Sequence, residues 1–338
     1  MKQLQPTYWQ IYDRVFKHFS SKAIYGKILD IARILGKPFD KRGKRGPKFK
    51  IDPCEYAAYE AYQIISSNAS FRDMELNSEL FVEKHIDHDT FHDNFVKTPY
   101  GYFVRLLREV ARMLEELLGT VVITLFDSTG LSTRQYEEII FKGKKKRRNK
   151  EFKLHTLTSY HPKEKLTYFI DALSSDKHVS DAEGATRLVK TNRTGGFHCG
   201  DRGYDAEKLY KAILAKEGIP MIKPKKHKAK LFSERAKGMK MYRKHIYDEL
   251  RPVVETPYGG LENSGMIQTR CVRDDTIKKK GMLAALRHNL MSYLRVLVSR
   301  MESLLELSDK LRAITKLIKG LRMAKIYNGF LLGRNRCR

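Results

Sequence analysis

Val121-Val122-Ile123-Thr124-Leu125-Phe126-Asp127-Ser128-Thr129 is the stretch on which the fold turns. Its first six residues form an unbroken β-branched and apolar run, too short for a helical core and typical of a strand buried on both faces. The run stops at Asp127, so the sequence expects a carboxylate where a central strand ends. Two further strands are expected over residues 152–160 and 166–173, with the turn-prone His161-Pro162-Lys163-Glu164 between them. Together the three make a meander. Beyond it come a helix over 181–190, a strand over 197–200, a helix opened by Asp205 and closed near Gly218, and a strand over 219–222. Helix alternating with short buried strand adds parallel strands to a sheet, so the class is α/β.

Upstream, the periodicity is helical. Trp9, Phe16, Phe19, Ile24, Ile28, Ile31 and Leu35 recur at helical spacing, which gives one or two amphipathic helices closed by Gly36. Residues 37–50 carry Pro38, Gly43, Gly46 and Pro47 among many cations and read as an exposed connection able to touch phosphates. Asp52-Pro53 is an N-cap followed by proline at the first helical position. Short helices are expected from Ser70 and Phe91, and 102–118 has an apolar stripe of Phe103, Leu106, Leu107, Val110, Met113, Leu114 and Leu117. The division that follows is an all-helical domain over 1–119 and an α/β domain over 120–338.

The 338 residues hold 66 Lys and Arg against 39 Asp and Glu, a net charge of +27. Such a surface seeks polyanions. The longest apolar runs fall far short of the ~18 residues a membrane span needs, so nucleic acid is the expected partner and a membrane is not. The N-terminal Met1-Lys2-Gln3-Leu4-Gln5-Pro6 has no apolar signal core, and the expected location is cytoplasmic and nucleoid-associated. Cys54, Cys199, Cys271 and Cys337 are isolated and make neither a disulfide framework nor a metal spacing.

Asp201 follows the second buried strand, in Gly200-Asp201-Arg202-Gly203-Tyr204-Asp205, as Asp127 follows the first. Each alone would pass for a turn former or cap. As a pair at the ends of neighbouring strands they sit where open α/β sheets place ligands. Phosphodiester cleavage needs an activated oxygen nucleophile and neutralisation of charge on the phosphate and leaving oxygen. Two hard divalent cations on carboxylates meet those needs. A third acid is required, and Tyr247-Asp248-Glu249-Leu250-Arg251-Pro252-Val253-Val254-Glu255 supplies candidates.

On these residues the chain resembles the insertion-sequence transposases of prokaryotes, enzymes of the DDE class. The resemblance rests on Leu125-Phe126-Asp127-Ser128-Thr129, on Gly200 to Asp205, and on Arg251 with Glu255. It extends to Lys153-Leu154-His155, His88-Asp89-Thr90-Phe91 and Arg287-His288-Asn289-Leu290. It implies an RNase H-like mixed sheet flanked by helices and preceded by a helical domain that recognises or synapses the element ends. It implies Asp127, Asp201 and Glu255 as catalytic residues and metal ligands for two Mg²⁺ ions, with Mn²⁺ as a substitute. It also implies double-stranded DNA, both transposon ends and target, as substrate and a homodimer as the working complex. The family places Tyr, two residues, Arg, three residues, Glu, six residues, Lys in its last motif; here Tyr247 lies one residue too far from Arg251, and Glu262 holds the lysine position. Glu262 is therefore the substitute candidate for Glu255. Pro252 and Pro257 limit any helix here to one that begins near the first and kinks or stops near the second.

Two basic clusters bracket these acids. One lies in the turn linking the first two strands and offers Lys144, Lys145, Lys146, Arg147, Arg148 and Lys150; the other follows the last strand and offers Lys223, Lys225 and Lys226. With Arg251 they are the DNA-binding candidates, a charge run on a solvated face being the ordinary alternative. Tyr204 and Tyr242 are candidates for stacking on an unpaired base, with core packing favoured for Tyr204, and His155 is expected as a core or sheet-face residue rather than a ligand. His85, His88 and His92 allow a metal reading, set below an ordinary helix start capped by Asp89 or Thr90. Two other functions stay open: a nuclease on the same fold, and a catalytically inactive DNA-binding protein derived from a transposase.

Overall fold

The computed structural model describes residues 8–40, 48–120, 122–133, 136–141, 143–226, 230–269 and 271–334. Side chains are described through 312, except those of Tyr8, Trp9, Ile11, Tyr12, Ile139, Phe141 and Arg148. Gly43, Gly46, Pro47, Val121, Lys142 and Cys337 lie outside the described residues.

Strand β1 (Ile123–Leu131) is the centre of a five-stranded sheet ordered β5-β4-β1-β6-β7. It pairs antiparallel with β4 (Phe152–His161), which pairs antiparallel with β5 (Leu166–Asp176). On its other side it pairs parallel with β6 (Phe197–Gly200), which pairs parallel with β7 (Ile219–Ile222). A meander followed by two parallel additions on the far side of the first strand is the RNase H-like arrangement. Entry into β6 depends on Gly196, at φ 64°, where a Cβ would stand 2.1 Å from the Val122 carbonyl oxygen. Only glycine fits.

Side-chain alternation along β1 sends Leu125 to one face and Phe126 to the other. Phe126 packs with α7 (Asp181–Thr191) and α8 (Glu207–Leu214) through Ala185, Leu188, Leu209, Tyr210 and Ile213. Leu125, with Cys199 and Met221, packs under Tyr247, Leu250 and Val254 of α10 (Lys244–Asn263). Each of the two cores therefore closes one face of the sheet.

The helical segment is α1 (Tyr8–His18), α2 (Ser21–Leu35), α3 (Pro53–Ser67), α4 (Phe71–Val82), α5 (His88–Lys97) and α6 (Tyr100–Leu118). Gly36 closes α2, and Asp52 opens α3 in a reciprocal capping box with Glu55. Helix α5 begins earlier than expected, at His88 after Asp87, so Asp89 and Thr90 lie inside it rather than at its cap. The segment is tied to the sheet by Asp171 of β5, buried beneath Arg108 of α6 at 2.5 Å and Asn192 at 2.8 Å. The chain divides into two compact units, Met1–Tyr293 and Leu294–Arg338, so α1–α6 share a unit with the sheet.

Three further expectations are corrected by the structure. Residues 136–149 are not a simple turn; they form a two-stranded hairpin, β2 (Tyr136–Phe141) and β3 (Lys144–Asn149), with Gly143 at φ 75°. Lys146, Lys145 and Lys144 stand in register opposite Ile139, Ile140 and Phe141, so the charge run pairs as a strand despite its composition. Second, Asp205 does not open α8, whose N-cap is Ala206; its buried carboxylate instead takes both Nε and Nη2 of Arg235 at 2.6 Å. Arg235 sits in α9 (Glu234–Met241), so this fork fixes the chain after β7. Third, α10 contains both Pro252 and Pro257 without ending at either. Tyr247, Leu250, Val254, Pro257, Tyr258 and Leu261 form its buried stripe, and that packing outweighs the missing backbone bonds.

The last helix, α11 (Asp274–Arg334), seals the outer edge of β5. The Asn289 amide accepts from the Phe169 N–H and donates to the Phe169 carbonyl, both at 2.7 Å, and Ser292 Oγ donates to Thr167 O at 2.9 Å. Among the described residues no helix is long and apolar enough to cross a membrane.

Candidate active site

β1 does not end at Asp127 but runs on to Leu131, paired with β4 as far as Phe152. What ends near Asp127 is the parallel half of the sheet. The β1–β6 ladder pairs Ile123 with Phe197, Thr124 with His198 and Leu125 with Cys199. Two residues on, Asp201 leaves β6 alongside Asp127. By alternation Asp127 shares the α10 face with Leu125, and the Arg251 guanidinium of α10 meets it there.

The Asp127 side chain is about 22% exposed. Its Oδ1 accepts the Ser128 N–H at 2.9 Å and its Oδ2 lies 3.9 Å from Arg251 Nη1. Burial pushes its carboxyl up to about 6; the Ser128 bond and Arg251 oppose that rise, and the charges of Asp201 and Glu255 add to it. Both other acids therefore bear on Asp127. Asp201 Oδ1 accepts the Gly203 N–H at 2.6 Å, a bond that turns the chain into a single 3₁₀ turn, Arg202–Tyr204. Glu255 reaches the site from α10 and accepts Arg251 Nη2 at 3.1 Å, one helical turn away. Its side chain is 68% exposed. Glu262, the substitute candidate, lies seven residues further along the same helix, roughly 10 Å down its axis.

Tyr258 and Thr156 line the floor beneath Asp127, their hydroxyls hydrogen-bonded to each other. Sequence reading missed both, since an isolated Tyr or Thr in a strand or helix carries no signal of its own. It also missed Asp181. On the opposite face Ser128 Oγ donates to Asp181 Oδ1 at 2.7 Å, and Lys153 Nζ reaches the same oxygen at 2.9 Å. His155 is buried there, its Nε2 bonded to Ser175 Oγ at 2.9 Å, and burial drives its pKa down to about 4. A Cβ at Gly184 would come within 2.5 Å of its ring, so α7 sits directly on it.

An all-oxygen set of carboxylates is the donor chemistry of hard divalent cations. Burial already disfavours the Asp127 anion and two further carboxylates stand near it, which fits a site that gains from added positive charge. Among the described residues, the group of His, Cys, Asp and Glu with ligand atoms within 4.8 Å of one another is elsewhere, at Glu75, His85 and Asp87. Those charges already have partners: Lys50 Nζ holds Asp87 at 2.9 Å and His88 Nδ1 lies 2.7 Å from Glu75. His92 instead packs edge-on against Phe71.

Of the basic candidates, Lys144, Lys145, Lys146 and Arg147 are exposed on β3, with the Arg147 guanidinium 4.2 Å from the Tyr136 ring centre. The Arg148 side chain lies outside the described residues. Lys150 is turned inward to Asp274 at 2.5 Å, and Lys225 Nζ to the Asp205 carbonyl at 3.4 Å. Lys223 and Lys226 are exposed, Lys223 beside the Tyr247 ring. Tyr242 leans on Tyr247 and is partly exposed, and Tyr204 is core, stacked on Phe126.

A family model described as "Transposase DDE domain" matches residues 120–290, a span that includes all three acids. No curated protein matches the chain. The cryo-EM structure of the piggyBac transposase synaptic complex with hairpin DNA is similar at 13% identity and a TM-score of 0.39, over 86% of this chain and 76% of that one. A likeness that low bears on neither site nor substrate.

Proposed function

The chain belongs to the transposase DDE-domain family, and from that premise we propose that it cuts DNA at the ends of a mobile element and joins the freed 3′-hydroxyls to target DNA. What supports this reading is that Asp127, Asp201 and Glu255 come from β1, the end of β6 and α10, with the charges of the last two adding to the raised carboxyl of the first. They would hold two Mg²⁺ ions, replaceable by Mn²⁺. Such ions, when bound, activate the attacking oxygen and neutralise charge developing on the phosphate.

In cleavage, a water oxygen bonds the phosphorus at the element end and the P–O3′ bond breaks, leaving a 3′-hydroxyl and a 5′-phosphate. In joining, that hydroxyl attacks a target phosphorus and a target 3′-oxygen departs, so one phosphodiester replaces another with no covalent enzyme intermediate. The chain's own cations position the duplex. Lys144, Lys145, Lys146 and Arg147 on the hairpin, with Lys223 and Lys226, would neutralise backbone phosphates whatever their sequence. The helices within 1–119 would recognise or synapse the ends, and cutting at two ends calls for at least a homodimer. A DNA substrate of this kind places the protein with the nucleoid.

The test is cleavage of duplex DNA carrying the sequences that flank the gene, comparing the wild type with Asp201→Asn at equal DNA occupancy. Nicking at the element boundary that needs Mg²⁺ and is lost in the variant is the expected result. Tight binding without cleavage under Mg²⁺ or Mn²⁺ would overturn it in favour of an inactive DNA-binding protein. Cleavage with no joining of a pre-cut 3′-OH end would leave a nuclease.

A further inference from the structure

We propose that Arg251 is the resident counter-ion of the acid site: its guanidinium bridges Asp127 and Glu255 in the absence of divalent metal and must release Glu255 when metal binds. The inference rests on the reading of these acids as metal ligands.

Arg251 lies four residues before Glu255 on α10, so the two side chains stack on one helix face and Nη2 meets Oε1 at 3.1 Å. The same guanidinium extends towards the sheet, where Nη1 stops 3.9 Å from Asp127 Oδ2. That is an ion-pair distance but too long for a hydrogen bond. Nη1 is buried and has no hydrogen-bond partner. A charged donor left in that state is costly, and here it is tolerated because carboxylates surround it. Arg251 thus spans two of the three acids without satisfying itself. The acids are correspondingly not drawn to the mutual spacing that the Glu75, His85 and Asp87 group shows.

A divalent cation drawing Asp127 and Glu255 together would take both carboxylates from Arg251 and repel its charge. The fork would then be free to turn to a non-bridging phosphate oxygen, an anion that pairs two of its N–H groups in parallel. Arg251 is in this sense a positioning residue. It keeps Glu255 over the site before metal arrives and exchanges one anion for another when metal and DNA are present.

The test is Mn²⁺ binding to the full chain without DNA, read from the paramagnetic signal of free Mn²⁺, for the wild type, Asp127→Asn, Arg251→Gln and Arg251→Lys. Arg251→Gln removes the competing charge and should bind Mn²⁺ about five- to tenfold more tightly, the size expected for one partly screened charge. Arg251→Lys keeps the charge on a stem of similar length and should stay within about twofold of the wild type, which separates charge competition from a general loosening of α10. Unchanged or weaker binding in Arg251→Gln, against a wild type whose binding depends on Asp127, overturns the counter-ion role alone. Wild-type binding that is absent, or indifferent to Asp127→Asn, overturns the metal-site reading and this inference with it. Thermal melts of each variant identify any that fail to fold, and Arg251→Lys then carries the comparison through Ca²⁺-supported DNA binding, expected to weaken as the fork is lost.

Discussion

Asp127 makes the fold less stable than it could be, and the cost can be titrated. Its carboxyl, at about 6 in the folded protein against 3.8 for an unhindered Asp, keeps its proton over a pH range where the unfolded chain has lost it. The contribution of Asp127 to stability therefore falls as pH rises between about 4 and 6, because the folded state binds the extra proton, and above about 6 that loss is complete. The interval from 3.8 to about 6 corresponds to about 3 kcal/mol, a figure that already includes the attraction to Arg251. Asp127→Asn keeps an oxygen for the Ser128 N–H and removes the charge. Urea unfolding in EDTA should show the variant equal to the wild type below about pH 4 and more stable by up to about 3 kcal/mol at pH 8. A difference that does not change with pH, or a variant no more stable at pH 8, would refute the argument that burial dominates at this carboxyl.

Other consequences are open to simple measurement. Asn289→Ala leaves the Phe169 N–H and C=O of an edge strand without partners and should cost about 2–4 kcal/mol in urea unfolding. Replacing Lys144, Lys145, Lys146 and Arg147 by Gln should weaken binding to unrelated duplexes alike and flatten the slope of log affinity against log salt by about 0.9 for each phosphate no longer neutralised, read by fluorescence anisotropy. An unchanged slope would remove the hairpin from the DNA interface.

The parts of the fold written in apolar periodicity were legible. The strands around Leu125, Leu157, Phe169 and Cys199, the Asp52-Pro53 helix start and the stripe of α6 all follow from residue type and spacing. What was not legible depended on partners distant in sequence. Ser128 to Leu131 have weak strand character, yet they continue β1 because Phe152 to His155 pair with them. A row of lysines became β3 because β2 lies opposite, and Asp205 gave up its expected cap for Arg235, thirty residues on. In α10 the prolines argued for a break, and only the stripe buried against the sheet shows why the helix continues. Asp127 and Asp201 drew notice because each follows a short apolar run, although β1 continues past Asp127 to Leu131, while the place of Arg251 between Asp127 and Glu255 carried no signal in the sequence.

The bond between Asn289 and Phe169 also has a meaning in time. A chain made from its N-terminus completes β1 to β7 well before residue 289 leaves the ribosome, so the outer edge of β5 is formed while its seal does not yet exist. During that interval the edge presents unpaired backbone groups that another nascent chain could pair with. Synthesis rate and the arrival of α11 then bear on how much of the protein reaches its native fold, and a fragment ended before α11 would carry that open edge permanently.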